Sequence, residues 1–236
     1  MHNYFTDNLK GDIFELSEKN YHHLKNVIKI NINEKIVCVY NSNKYLCKIV
    51  EISNEIYYAK IEKKLEFEES YIEINLIVGI IREQKWDFIL QKATELGVTK
   101  IVPVEFKRNV VKIDFKKEEN KISRWTNICK SSAEQSKRNF VPIIEPVIRN
   151  LNELVKYKAD LNLVCWEEEK KLTFKKELKN KFSSISIVIG PEGGIERDEL
   201  DLLKKIGYKS ITLGENIMRA ETVPLFIISC IKYEKS

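Results

Sequence analysis

Between residues 33 and 62 the chain reads as three apolar runs, KIVCVY, KYLCKIVEI and IYYAKIE, rich in Val, Ile and Tyr. Asn-Ser-Asn at 41–43 and Ser-Asn-Glu at 53–55 separate them. Such runs bounded by turn residues predict short strands, and hence a small antiparallel barrel or sheet. The charged stretch Glu62 to Glu69 follows as linker or strand end, and a domain boundary is expected near residue 70.

Beyond it the rhythm changes. Tyr71 to Ile81 is a near-continuous apolar run, the pattern of a strand buried on both faces. In Lys85 to Leu96 the apolar residues Trp86, Ile89, Leu90, Ala93 and Leu96 recur at helical spacing, with Gly97 as the stop. Further strands are expected at Ile101–Val104, Leu161–Trp166, Ile185–Ile189 and Ser210–Leu213. Further helices are expected at Lys121–Ser136, Glu196–Ile206 and from about Glu221 to Tyr233. Strands alternating with helices predict an α/β domain whose mostly parallel sheet is covered on both faces.

Composition narrows the class. With 43% hydrophobic and 32% charged residues the chain is globular, and its longest apolar run, Leu76–Ile81, is far too short to span a bilayer. The polar N-terminus does not read as a secretory signal. Five cysteines without CxxC spacing suit reduced thiols rather than disulfides or zinc, so no metal is expected. The three histidines, His2, His22 and His23, crowd the N-terminus, which argues against a Ser-His-Asp triad. Charge is uneven. Residues 1–70 hold 10 Lys and no Arg against 11 acids, while 107–149 hold 11 Lys and Arg against 5 acids. A local basic excess fits a polyanion partner or a solvated lysine-rich surface.

Glycine is scarce, 8 in 236 residues, yet three fall in Gly190-Pro191-Glu192-Gly193-Gly194. The stretch follows a buried strand and precedes a helix, where open α/β sheets bind ligands. It is neither a P-loop, for no GK[ST] follows, nor GxGxxG. Pro191 stiffens it and Glu192 would repel phosphate. Taken alone it reads as a ligand-binding wall or as a tight turn. A second loop, LGENIMRAETVPL at 213–225, has the same strand-to-helix context. Two such loops imply one pocket, with Arg219 and Glu221 beside it.

Together these stretches resemble the SPOUT, or α/β-knot, RNA methyltransferases. Within them the chain is similar to the ribosomal RNA small-subunit methyltransferase E family, which methylates N3 of a uridine in 16S rRNA. KWDFILQKATELGVTKIVPV (85–104), SSAEQSKRNFVPII (131–144) and HHLKNVIKI (22–30) carry the resemblance through the rest of the chain. Departures are Lys137 where the family usually has Gly, Met218 for Leu, Lys29 for Arg, and Val223-Pro224 for small residues after Glu-Thr.

The resemblance implies a PUA-like β-barrel RNA-binding domain over residues 1–70 and a trefoil-knot methyltransferase domain over 71–236, knotted within 160–236. It implies S-adenosylmethionine (AdoMet) as cofactor, held by Trp166, Ile189, Gly190, Pro191, Glu192, Gly193, Gly194, Leu213, Gly214, Ile217 and Met218. Uracil N3 must lose a proton, so a base or an anion-stabilising cation is needed. Arg219 is the candidate cation, or else a brace paired with Glu221 or Glu192. Glu221 is a candidate base or a cap residue, and Thr222 a hydrogen-bond partner. RNA contacts are expected from Lys25, Lys29, Lys107, Arg108, Lys130, Lys137, Arg138 and Asn139. A cytoplasmic homodimer acting on the small ribosomal subunit, with no membrane or metal partner, completes the expectation. The alternatives are a related enzyme methylating a ribose 2′-OH or a tRNA base, and a non-catalytic RNA-binding assembly protein. A nucleotide binder using the glycine loop for phosphate is a further rival.

Overall fold

A computed structural model describes residues 2–66 and 72–235. The chain divides into two compact units, Met1–Glu69 with Lys130–Val141, and Ser70–Cys129 with Pro142–Ser236. The division expected at residue 70 lies outside the described residues. The stretch Lys130–Val141, expected with the second domain, is grouped with the first.

The first unit is built on β1 (Asn3–Phe5), β2 (Leu9–Lys10), β3 (Ile13–Glu15), helix α1 (Glu18–His23), β4 (Lys35–Tyr40), β5 (Asn43–Ser53) and β6 (Ile56–Leu65). The strand order is β1-β4-β5-β6-β3-β2. All pairings are antiparallel except β1 with β4, so the sheet is mixed rather than purely antiparallel. Tyr4, Phe14, Leu24, Ile36, Cys38, Cys47, Ile49 and Ala59 form its core. After α1 the chain makes a single π-helical stretch, Leu24–Ile28, which Lys29 closes in the left-handed conformation at φ 56°.

The second unit contains β7 (Glu73–Gly79), α2 (Glu83–Leu96), β8 (Lys100–Val104), α3 (Phe115–Gln135), β9 (Ile143–Ile144), a 3₁₀ helix (Leu151–Tyr157), β10 (Leu161–Cys165), α4 (Phe174–Leu178), β11 (Ser184–Ile189), α5 (Arg197–Lys205), β12 (Lys209–Ile211) and α6 (Thr222–Lys235). The C-terminal end of α3, from Lys130, is counted with the first unit. The strands are ordered β12-β10-β11-β7-β8-β9, and every pairing is parallel. Parallel strands need helical crossovers on both faces, which is why β7 and β11 are buried along almost their whole length. α2 presents Trp86, Ile89, Leu90 and Ala93 inward and ends at Gly97, φ 103°. Trp86 meets Trp125 of α3 with ring centroids 5.3 Å apart. Among the described residues no helix is long and apolar enough to cross a membrane.

Candidate functional site

The order β12-β10-β11 fixes the site. The two glycine-marked loops leave β11 and β12, which are not neighbours, because β10 lies between them. The chain after β10 therefore supplies a third wall. At these carboxyl ends lies a cleft of about 470 Å³, within the range of small-molecule and cofactor sites.

The cleft brings together Trp166, Ile189, Gly190, Pro191, Glu192, Gly194, Leu213, Gly214, Ile217, Met218, Arg219 and Glu221. Gly193 and Thr222 are not in its lining. Gly193 instead faces Arg108, because a Cβ there would stand 2.9 Å from the Arg108 Cβ and carbonyl oxygen. Thr222 is exposed at the first position of α6. The sequence reading missed Lys85, Cys165, Glu167 and Thr212, which also line the cleft. It also missed Gly79, whose added Cβ would sit 2.5 Å from the Pro191 nitrogen. The end of β7 must therefore be glycine for the Gly190–Pro191 loop to lie against it.

Lys85, at the start of α2, sets the electrostatics. Its Nζ stands 3.2 Å from Glu221 Oε1 and 3.8 Å from Glu192 Oε1, so one ammonium joins the two loops. The bracing role offered to Arg219 thus belongs to Lys85. Arg219 is exposed and, among the described residues, makes no ion pair. Burial pushes the Glu221 carboxyl up, but a backbone N–H, the Lys85 ammonium and, less strongly, the Arg219 charge outweigh it and hold the group below its ordinary value. Glu221 is therefore an ionised carboxylate and a weak base. Among the described residues its second oxygen, Oε2, is buried without a hydrogen-bond partner, and a buried acceptor left unpaired costs free energy until a donor reaches it. The Cys165 thiol is pushed up to about 12 by desolvation, so it stays protonated and unreactive.

The third wall is held by Glu169. Its Oε1 accepts from the backbone N–H groups of Lys170, Lys171 and Leu172, and its Oε2 accepts from the Ser210 hydroxyl at 2.5 Å. The Ser210 hydroxyl first, then the Lys171 N–H, lower its carboxyl to about 2. Ile217, 83% exposed, is a large apolar side chain standing open at the cleft.

The RNA candidates fall on both units. Lys25 is exposed and donates to the Tyr21 hydroxyl at 2.9 Å, and Lys29 is exposed. Lys130 is half-buried beside the acidic groups Asp7, Glu15, Glu18 and Glu55. Lys137 is exposed at φ 59°, the left-handed region, where a glycine would be unstrained; its carbonyl accepts from Lys44 Nζ at 2.7 Å. Arg138 is only 6% exposed, with its guanidinium carbon 4.1 Å from the Phe140 ring centre, so the expected surface contact is a buried stacked cation instead. Asn139 is half-buried. Lys107 and Arg108 are exposed, and both are tied to the start of α5. Among the described residues no group of three His, Cys, Asp or Glu side chains could hold a metal ion.

A family model described as an RNA methyltransferase domain matches residues 68–232, and one described as an RNA methyltransferase PUA domain matches 16–62. The chain is 33% identical to the ribosomal RNA small subunit methyltransferase E of Bacillus subtilis, over 99% of this chain and 97% of that one. It is 34% identical to the protein of the same name from Mesomycoplasma hyopneumoniae, over 98% of this chain and all of the other. A crystal structure of a ribosomal RNA small subunit methyltransferase E from Neisseria gonorrhoeae, bound to S-adenosyl methionine, superposes with a TM-score of 0.88 at 26% identity. It covers 99% of this chain and 97% of its own.

Proposed function

The chain belongs to the ribosomal RNA small subunit methyltransferase E family of RNA methyltransferases, and from that premise we propose that it methylates N3 of a uridine in 16S rRNA. The observation that carries this reading is the one cleft in which both glycine loops, the wall after β10, Arg219 and Glu221 meet.

The residues present fit the cofactor. Apolar Ile189, Leu213, Ile217 and Met218 offer contact to an adenine ring, and the backbone of 190–194 and 213–218 offers donors and acceptors. The unpaired Glu221 Oε2 offers an acceptor to a bound ammonium or hydroxyl. AdoMet, when bound, supplies an electrophilic methyl group on a sulfonium. The protein's part is to align the base with it, for which effective molarities reach roughly 10⁵–10⁸ M. Arg219, exposed and free of ion pairs among the described residues, stabilises the negative charge that grows on the uracil oxygens as N3 gives its proton to water. Glu221, held ionised by Lys85, anchors the start of α6 rather than taking that proton.

Of the RNA candidates, Lys25, Lys29, Lys107, Arg108 and Lys137 are exposed, which supports contact with RNA phosphates. The connections around β10, β11 and β12 are read as the trefoil knot, which their crossed strand order supports. Phe88 on α2 and Phe226 on α6, 41% and 38% exposed, support pairing of two chains through these helices. Work on ribosomal RNA puts the protein in the cytoplasm. The test is transfer of labelled methyl from AdoMet to small ribosomal subunits lacking native uridine methylation, followed by nucleoside mass spectrometry. 3-Methyluridine is the expected product. Label in a ribose or in another base contradicts the assignment, as does RNA binding without transfer.

A further inference from the structure

Gly193 lies between two residues that line the cleft, yet it faces away from it, onto Arg108. The turn that carries Arg108 is fixed to the sheet. Asn109 is buried, and its Nδ2 donates to the carbonyls of Ile80 at 3.0 Å and Val104 at 3.4 Å, beyond and at the ends of β7 and β8. Its Oδ1 accepts from the Phe106 N–H at 3.1 Å. The other side of the turn grips the glycine loop and α5. Arg108 Nη1 donates to the Gly193 carbonyl at 3.3 Å, and Nε donates to Glu196 Oε1 at 3.3 Å. The Lys107 N–H donates to Glu199 Oε1 at 2.8 Å, and Lys107 Nζ pairs with Asp198.

We propose that the Lys107–Asn109 turn is both the brace of the cofactor loop and a sensor of the RNA backbone. Arg108 is a positioning residue through Gly193. Glu196 and Asp198 occupy, in the RNA-free protein, the two cations that an RNA phosphodiester takes. The proposal rests on the reading that RNA is the substrate. Its chemistry is plain. A guanidinium has five N–H donors, of which Arg108 commits two, so phosphate can be taken bidentately once Glu196 yields. Both pairs are exposed, and such pairs contribute little, so phosphate displaces the carboxylates at small cost. The carbonyl bond to Gly193 needs no release. Phosphate capture thus fixes the arginine that already holds the loop, and RNA arrival stiffens the cofactor wall.

The test uses the full chain and two titrations, AdoMet without RNA and a small-subunit rRNA fragment at low salt. Arg108→Met is expected to weaken AdoMet binding about fivefold while the cofactor-free melting temperature stays put. Arg108→Lys keeps the charge but not the fork. It is expected to retain most RNA affinity and to lose AdoMet affinity as the Met variant does. The double variant Glu196→Gln/Asp198→Asn is expected to bind RNA about two- to tenfold tighter with AdoMet affinity unchanged. Unchanged AdoMet affinity in both Arg108 variants overturns the positioning role. RNA affinity that stays level or falls in the double variant overturns the carboxylate exchange. A wild-type protein that binds AdoMet and transfers no methyl to RNA defeats the functional reading instead, and the Arg108 effect on AdoMet remains readable beside it.

Discussion

At the scale of the residue, the site depends on a few side chains whose partners are far away in sequence. Lys85 reaches both Glu192 and Glu221 from more than a hundred positions upstream. The 85–104 stretch that carries the resemblance begins with it, but nothing there sets it apart from any other lysine on a helix. Arg219 and Glu221 were legible from the loop chemistry, but which cation braces the loops was not, because that is decided by packing of α2. The Lys85 pair has a checkable pH signature. A carboxyl held below its ordinary value adds stability above that value and loses it as pH falls through the native one. Lys85→Met is therefore expected to lower the urea midpoint at neutral pH, and the gap from wild type is expected to shrink in acid as Glu221 protonates. A gap that stays constant through the whole acid limb would contradict the pairing. Lys137 shows the reverse lesson. The resemblance flagged it as standing where glycine is usual, and the left-handed φ of 59° gives the reason.

At the scale of the element, the periodic segments and the short buried strands β8, β10 and β12 were legible, and the shortest N-terminal strands were not. β7, α2, β11, α5 and α6 fall where apolar spacing put them, within a few residues. α3 starts at Phe115, six residues ahead of the expected Lys121, because its first turn is polar and held by Glu118, which accepts from the Val147 N–H and from Arg149. β1, β2 and β3 have three residues or fewer, too short to show alternation. α4 and the turn before it were also missed, although they carry Glu169. Its ring of backbone donors shapes the wall that presents Trp166 and Glu167. Glu169→Gln keeps the size and gives up the charge. It is expected to weaken AdoMet binding several-fold and to speed amide exchange at Lys170–Leu172, with the rest of the sheet unchanged. Exchange equal to wild type at those three amides would show that the charge holds nothing.

At the scale of the whole molecule, charge and topology divide the work. The parallel sheet sets three loops around one cleft, and under the proposed function the local excess of cations would supply long-range attraction for RNA. With about five phosphates neutralised, log K should fall with log salt at a slope of roughly −3.5 to −4.5. A charge run marks a stretch of chain but cannot tell a surface cation from a buried one. Arg138→Ala is therefore expected to lower the melting temperature and leave that slope unaltered, whereas loss of one unit of slope would return Arg138 to the RNA surface. The central claim is that the cleft at the ends of β10, β11 and β12 is the AdoMet site, and a crystal structure of this chain grown with AdoMet tests it most directly. The account expects density for the cofactor between Gly190–Gly194 and Leu213–Met218, with a donor from the ligand within hydrogen-bond reach of Glu221 Oε2. Cofactor density elsewhere on the chain, or an ordered and empty cleft at saturating AdoMet, would contradict it.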